Sequence, residues 1–178
     1  MMRRRDQRGQ SIVEFALILP IFLLVLISVF DLGHVVWAND NLSNAAREAA
    51  RYAIVHGEKS SCPVGPGGPE VNPGDGTCQT SPSKQSIKDT AMNWAGNAGT
   101  SVDVYVCYSN PGDPAPDVVA CDANPNDALD TDATSLKTNS RGSQVTVLVK
   151  ANVPLAAPAL FGFGNVSLSS TSTMMVNH

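Results

Sequence analysis

The chain is poor in the residue groupings that chemistry needs. It has three histidines, His34, His56 and His178, which lie far in sequence from one another and, apart from His56 six positions before Cys62, from the four cysteines. There is no Cys-x-x-Cys pair, so the spacing does not suit zinc. Gly-x-Ser-x-Gly, His-Glu-x-x-His and Gly-x-x-x-x-Gly-Lys are all missing. Nothing groups a nucleophile, a base and an orienting residue. These absences exclude the common hydrolase, zinc-protease and nucleotide-binding readings, and no enzymatic role, cofactor or small-molecule substrate is expected. The balance of 12 Lys+Arg against 16 Asp+Glu argues against nucleic acid as a partner. Asp127, Asp130 and Asp132 fall close together, but their spacing is irregular. Neither the central glycine nor the closing glutamate of a calcium loop accompanies them, so the segment reads as an acidic loop and no metal is expected. There is no internal repeat.

Only one stretch is apolar enough for lipid. From Ile12 to Phe30 the chain holds one acid (Glu14), one proline (Pro20), one serine (Ser28) and otherwise apolar residues. About 20 apolar residues in a helix span a hydrocarbon core of roughly 30 Å. Four arginines, Arg3, Arg4, Arg5 and Arg8, precede the run against the single Asp6. After Phe30 there are 8 basic and 14 acidic residues. Positive residues stay on the cytoplasmic side, so the N-terminus is expected inside and the remainder outside, with the lipid bilayer as a partner. A secretory signal has a shorter apolar region followed by a small-residue cleavage site. Here the run is longer, no Ala-x-Ala follows directly, and the span is read as a retained signal-anchor.

The pattern continues as helix beyond the span. From Asp31 to Val55 there is no proline and one glycine, Gly33. Leu42, Ala45, Ala46, Ala49 and Ala53 recur on one helical face, and His56-Gly57 reads as the stop. Taken as one helix, Ile12–His56 is about 67 Å long at 1.5 Å per residue. Its inner half spans lipid and its outer half forms a stalk. Pro20 is a candidate kink. The small-residue face permits close packing, either on the chain's own domain or on another subunit.

Residues 58–83 hold too much proline and glycine for regular structure. Ser83 to about Ala98 reads as a short helix, with Ser83 as N-cap and Gly99 as the stop. Residues 101–108 alternate as a strand, residues 109–143 form a long polar insertion, and two further alternating stretches start near Gln144 and Asn165. The apolar turn PALFGFGN joins those two. The expected fold is α+β: a long N-terminal helix packed on a small antiparallel sheet of about three strands, with one further short helix. The expected divisions are 1–9, a cytoplasmic basic leader; 10–57, the transmembrane and stalk helix; and 58–178, an extracytoplasmic domain. Cys62, Cys78, Cys107 and Cys121 all fall on the outer side, where an even count reads as disulfides. Of the three connectivities, the local pairs Cys62–Cys78 and Cys107–Cys121 are favoured, because each ties a loop rich in Gly, Pro and Asp.

Residues 8–57 resemble the N-terminal segment of the TadE-like family, pseudopilin-like membrane proteins of the bacterial tight-adherence (Tad/Flp, type IVb pilus) systems. Gly9-Gln10, Val13-Glu14-Phe15, Leu19-Pro20, Asp31-Leu32-Gly33 and the run from Asn44 to Ala53 carry the likeness. The closing β segment is similar with less specificity. The resemblance implies a type IV pilin-like fold and a role in pilus assembly or secretion at the cell membrane. The implied partners are other pilin-like or secretion-system subunits and a prepilin peptidase. It also implies a cut between Gly9 and Gln10, which would leave Glu14 as the fifth residue of the mature chain. A neighbour's new amine would then neutralise Glu14 among apolar helices and set axial register. Alternatively, Glu14 simply sits near the headgroups, within reach of water, Arg8 or lipid amines. A different class of function also fits the pattern: a membrane-tethered binding or adhesion module using residues 109–143 as its recognition loop.

Overall fold

The computed structural model describes residues 7–57, 64, 84–96, 98–110, 121–122, 141–159, 162 and 164–177. Helix α1 (Gln7–Val55) is one element of 49 residues. Pro20 lies inside it, where its ring removes one main-chain donor. The helix ends where expected: the His56 amide bonds to the Tyr52 carbonyl at 3.2 Å and Val64 N–H bonds to the His56 carbonyl at 2.7 Å.

Helix α2 (Gln85–Ala95) is followed by β1 (Val102–Ser109), β2 (Gln144–Pro154), a single helical turn α3 (Ala156–Ala159) and β3 (Asn165–Met175). The sheet order is β1-β2-β3, antiparallel throughout. This is the α+β arrangement that the alternating stretches imply. Two boundaries differ from expectation. Helix α2 stops at Gly96, three residues before Gly99, because Gly96 takes φ +54 and its amide closes on the Met92 carbonyl. Gly99 serves a different purpose. A Cβ there would lie 2.6 Å from the Asn152 carbonyl oxygen, so only glycine lets this segment pass the end of β2. Ser83 lies outside the described residues; at the start of α2, Lys84 holds the cap position without a side-chain cap bond. The PALFGFGN stretch opens with the α3 turn.

The core lies between α1 and the sheet, with α2 against both. Ala38, Leu42, Ala45, Ala46, Ala49, Ala50 and Ala53 of α1 are fully buried. They share one core with the valines of the sheet's inner side: Val145, Val147, Val149 and Val153 of β2, on which α1 packs, and Val104 and Val106 of β1, on which α2 packs. Alanine carries no side chain beyond Cβ, so the helix lies close on β-branched side chains that cover a pleated surface well. The small-residue face is therefore taken up by the chain's own domain.

The register fixes which end is which. Ser170 of β3 touches Ser43 of α1, Oγ to Oγ at 3.2 Å, and Asp31 of α1 bonds to α3. Helix α1 and strand β3 therefore run in the same direction, away from the apolar span, for about 36 Å on the helix and about 33 Å on the strand. The last residues of α1, β1 and β3 (Val55, Ser109 and Met175) and the first of β2 (Gln144) lie at the far end, and Thr100, Asn152 and α3 at the near end.

Candidate functional site

The most distinctive surface is the first half of α1. Its most apolar window has no buried residue. Ile12, Phe15 and Phe30 are 70, 65 and 71 % exposed, and the exposed row continues through Leu32, Val36 and Trp37. Its polar groups are handled locally. Ser28 Oγ donates to the Leu24 carbonyl at 2.9 Å, so this hydroxyl needs no outside partner. Gln10 Nε2 donates to Glu14 Oε1 at 3.1 Å, one turn along the same exposed helix. Gly9 and Gln10 both lie within the helical span of α1.

Asp31 marks the C-terminal end of the apolar run. Its Oδ1 accepts from Ala156 N–H at 3.0 Å and its Oδ2 from Ala157 N–H at 2.7 Å. One carboxylate on the stalk thus ties down the segment that joins β2 to β3. Sequence reading placed Asp31 in the family likeness without giving it this task.

At the far end Cys107 and Cys121 form a disulfide with a Cα–Cα distance of 5.8 Å. The bridge sets Asp122 beside β1. Asp122 Oδ2 accepts from Val106 N–H at 2.8 Å and pairs with Lys88 Nζ of α2 at 3.1 Å. Lys88 and Asp122 are both buried, a cluster that sequence reasoning missed. The only signal for it was an aspartate directly after a bridged cysteine. Cys62, Cys78, Asp127, Asp130 and Asp132 lie outside the described residues. Among the described residues there is no group of three or more His, Cys, Asp or Glu that could hold a metal.

The outer face of the sheet holds an open groove of about 290 Å³, lined by Asp103, Lys150, Asn152, Ser167 and Ser169 among others. The Lys150 ammonium sits 5.0 Å from the centre of the Tyr105 ring. The lining brings together one carboxylate, one amine, an amide and hydroxyls, with no histidine or cysteine beside them.

The apolar, uncovered half of α1 and most of its alanine-lined half coincide with a family match. Residues 9–51 match the TadE-like protein family. The matched segment runs from the glycine before Gln10 through the Glu14 turn, the bare span, Asp31 and most of the alanine stripe. The TadE-like family is a pilus-assembly component, and the match and the bare helix together fit a membrane protein associated with Tad pili. No curated protein and no solved structure matches the chain.

Proposed function

We propose that the chain is a single-pass, pseudopilin-like component of a Tad/Flp-type pilus assembly or secretion apparatus. Its N-terminus faces the cytoplasm, residues 10–57 span the membrane and form the stalk, and residues 58–178 form the extracytoplasmic domain. The observation that carries this reading is the 49-residue helix, bare in its first half and covered along one face by its own domain in its second. Because the alanine stripe is occupied, contacts between α1 helices fall to the opposite, exposed side. Prepilin peptidase cuts between Gly9 and Gln10, and the amine so formed gives a neighbouring Glu14 its counter-charge in the membrane. The mass of the mature N-terminus tests this step. A chain beginning at Gln10 in cells that carry the peptidase supports it, and an intact Met1 in those cells removes the pilin mechanism while sparing the anchor.

A membrane-tethered adhesion module is the second reading. What favours it is that the chain enters both long polar segments, after Gly57 and after Asn110, at the end of the domain remote from the apolar span. Deleting residues 123–140, which keeps Cys121 and Asp122 in place, separates the two readings. Loss of ligand binding with piliation intact selects the adhesion module; loss of piliation selects the pilus component.

A further inference from the structure

The two edges of the sheet are treated differently. On β1 the outward N–H of Val106 is taken by Asp122, which the Cys107–Cys121 bridge holds in place. That edge is closed in its middle. On β3 the pairing with β2 is unbroken from Asn165 to Met175, with no bulge. Leu155 N–H bonds to the Gly164 carbonyl and Val176 N–H to the Ser143 carbonyl, one at each end of the strand. Antiparallel ladders alternate, so the even-numbered residues of β3 bond toward β2. Asn165, Ser167, Ser169, Thr171, Thr173 and Met175 therefore aim their N–H and C=O groups away from the sheet. Among the described residues none bonds to them.

Natural sheets blunt an exposed edge with charge, proline, a bulge or a short strand. Strand β3 has 11 residues, NVSLSSTSTMM, and uses none of these devices. Its inward-facing Leu168 and Met174 are only half-buried, although their counterparts Ala151 and Val145 on β2 are buried. The core is thus open along this edge. We propose that the β3 edge receives an extended strand from a different protein of the assembly. That strand is uncharged and places apolar side chains beside Leu168 and Met174. This deepens the pilus reading and rests on its membrane orientation. Two copies anchored in one membrane point their β3 strands the same way. A twofold axis then sets their outward groups level, whereas parallel pairing needs them staggered by one residue. A partner strand running toward the membrane meets no such conflict and pairs antiparallel.

The test uses the full chain in detergent, alone and co-purified with the pilus-assembly subunits of its host, with residue-resolved amide exchange. In the assembly the amides of Ser167, Ser169, Thr171 and Thr173 gain at least tenfold protection, while those of Leu168, Ser170 and Ser172 are protected in both samples. Thr171→Pro removes one outward N–H and leaves the β2–β3 bonds intact, so it abolishes that gain and lowers piliation; Thr171→Val does neither. An even change along β3, or no change, overturns the proposal, as does exchange protection from a second copy of this chain alone. If Thr171→Pro misfolds, its even-numbered amides lose protection, and the exchange pattern of the unmutated chain decides. A strain lacking the chain that is fully piliated sinks the pilus reading. A pilus-defective null strain restored fully by the well-folded Thr171→Pro chain sinks the strand-addition proposal alone.

Discussion

The buried pair Lys88–Asp122 supplies the most demanding stability prediction. Its atoms are 3.1 Å apart and the two side chains are 2 % and 8 % exposed. Removing one partner of a buried pair leaves a charge out of water, at a cost of about 3–5 kcal/mol. Lys88→Met and Asp122→Asn should each lose that much. At about 2–4 °C per kcal/mol for a chain of this size, the melting temperature falls by roughly 6–20 °C. The double variant Lys88→Met/Asp122→Asn is expected within about 1–2 kcal/mol of the parent. No charge is left buried, and the Asn carboxamide still accepts from Val106 N–H, whose bond is otherwise worth about 1–3 kcal/mol. The double variant should therefore be more stable than either single one. Urea unfolding in detergent with disulfides intact, followed by near-ultraviolet circular dichroism, completes the cycle. Additive losses, or single losses under about 1 kcal/mol, would refute the claim that this pair joins α2 to β1.

Three further perturbations probe separate parts of the fold. Cys107→Ser/Cys121→Ser opens a loop with a sequence separation of 14; chain entropy gives a loss of about 3 kcal/mol, and freeing Asp122 adds to it, as read by the same unfolding assay. Gly99→Ala should cost about 1–3 kcal/mol, because its Cβ meets the same Asn152 carbonyl that Thr100 N–H binds at 2.9 Å; a neutral melting temperature would contradict the close approach. Asp31→Ala removes the acceptor of two amides and should cost about 1–2 kcal/mol, seen as faster exchange at Ala156 and Ala157 with the sheet amides unchanged.

The long helix was legible because its cues agree over many residues. An apolar run of membrane length, broken only by Glu14, Pro20 and Ser28, passes with a single glycine, Gly33, into an alanine stripe, and each cue is local. The strands were legible because Val145, Val147, Val149, Ala151 and Val153 alternate with period two. What escaped notice depends on contacts between residues distant in the chain. Asp31 bonds to residues more than a hundred positions away, and nothing around it encodes that. Lys88 looked like an ordinary polar position on a short helix; only the disulfide brings Asp122 under it. The same bridge makes the outer side of β1 partly apolar at its far end, where Cys107 and Leu148 form a small second core. Alternation sets Cys107 on the side opposite Val104 and Val106, but period alone does not show that this position is buried. The stop at Gly96 instead of Gly99 turned on which glycine takes positive φ and which lies under a carbonyl, and composition does not distinguish them.

The bare half of α1 decides more than the anchor. From Ile12 to Trp37, 17 large apolar side chains are exposed. At about 1.5 kcal/mol each, leaving them in water costs on the order of 25 kcal/mol, more than the roughly 5–15 kcal/mol that holds a whole domain folded. Lipid removes that penalty, but it also removes the hydrophobic force between helices, since acyl chains are as apolar as leucine. Helices then associate through small residues and polar pairs. Between Ile12 and Phe30 those are Ala16, Ser28 and Glu14, and the Ser28 hydroxyl is already bonded within its own helix. The larger stripe of alanines lies outside the span and is covered by the sheet. The membrane segment thus offers one strong polar contact, at Glu14, and little else to hold a neighbour. In the proposed reading, specific assembly draws on the domain beyond the span, where six residues of β3 aim main-chain groups outward and bond to none of the described residues. On that proposal the bilayer fixes height and direction, and the sheet edge supplies the directional hydrogen bonds that lipid cannot.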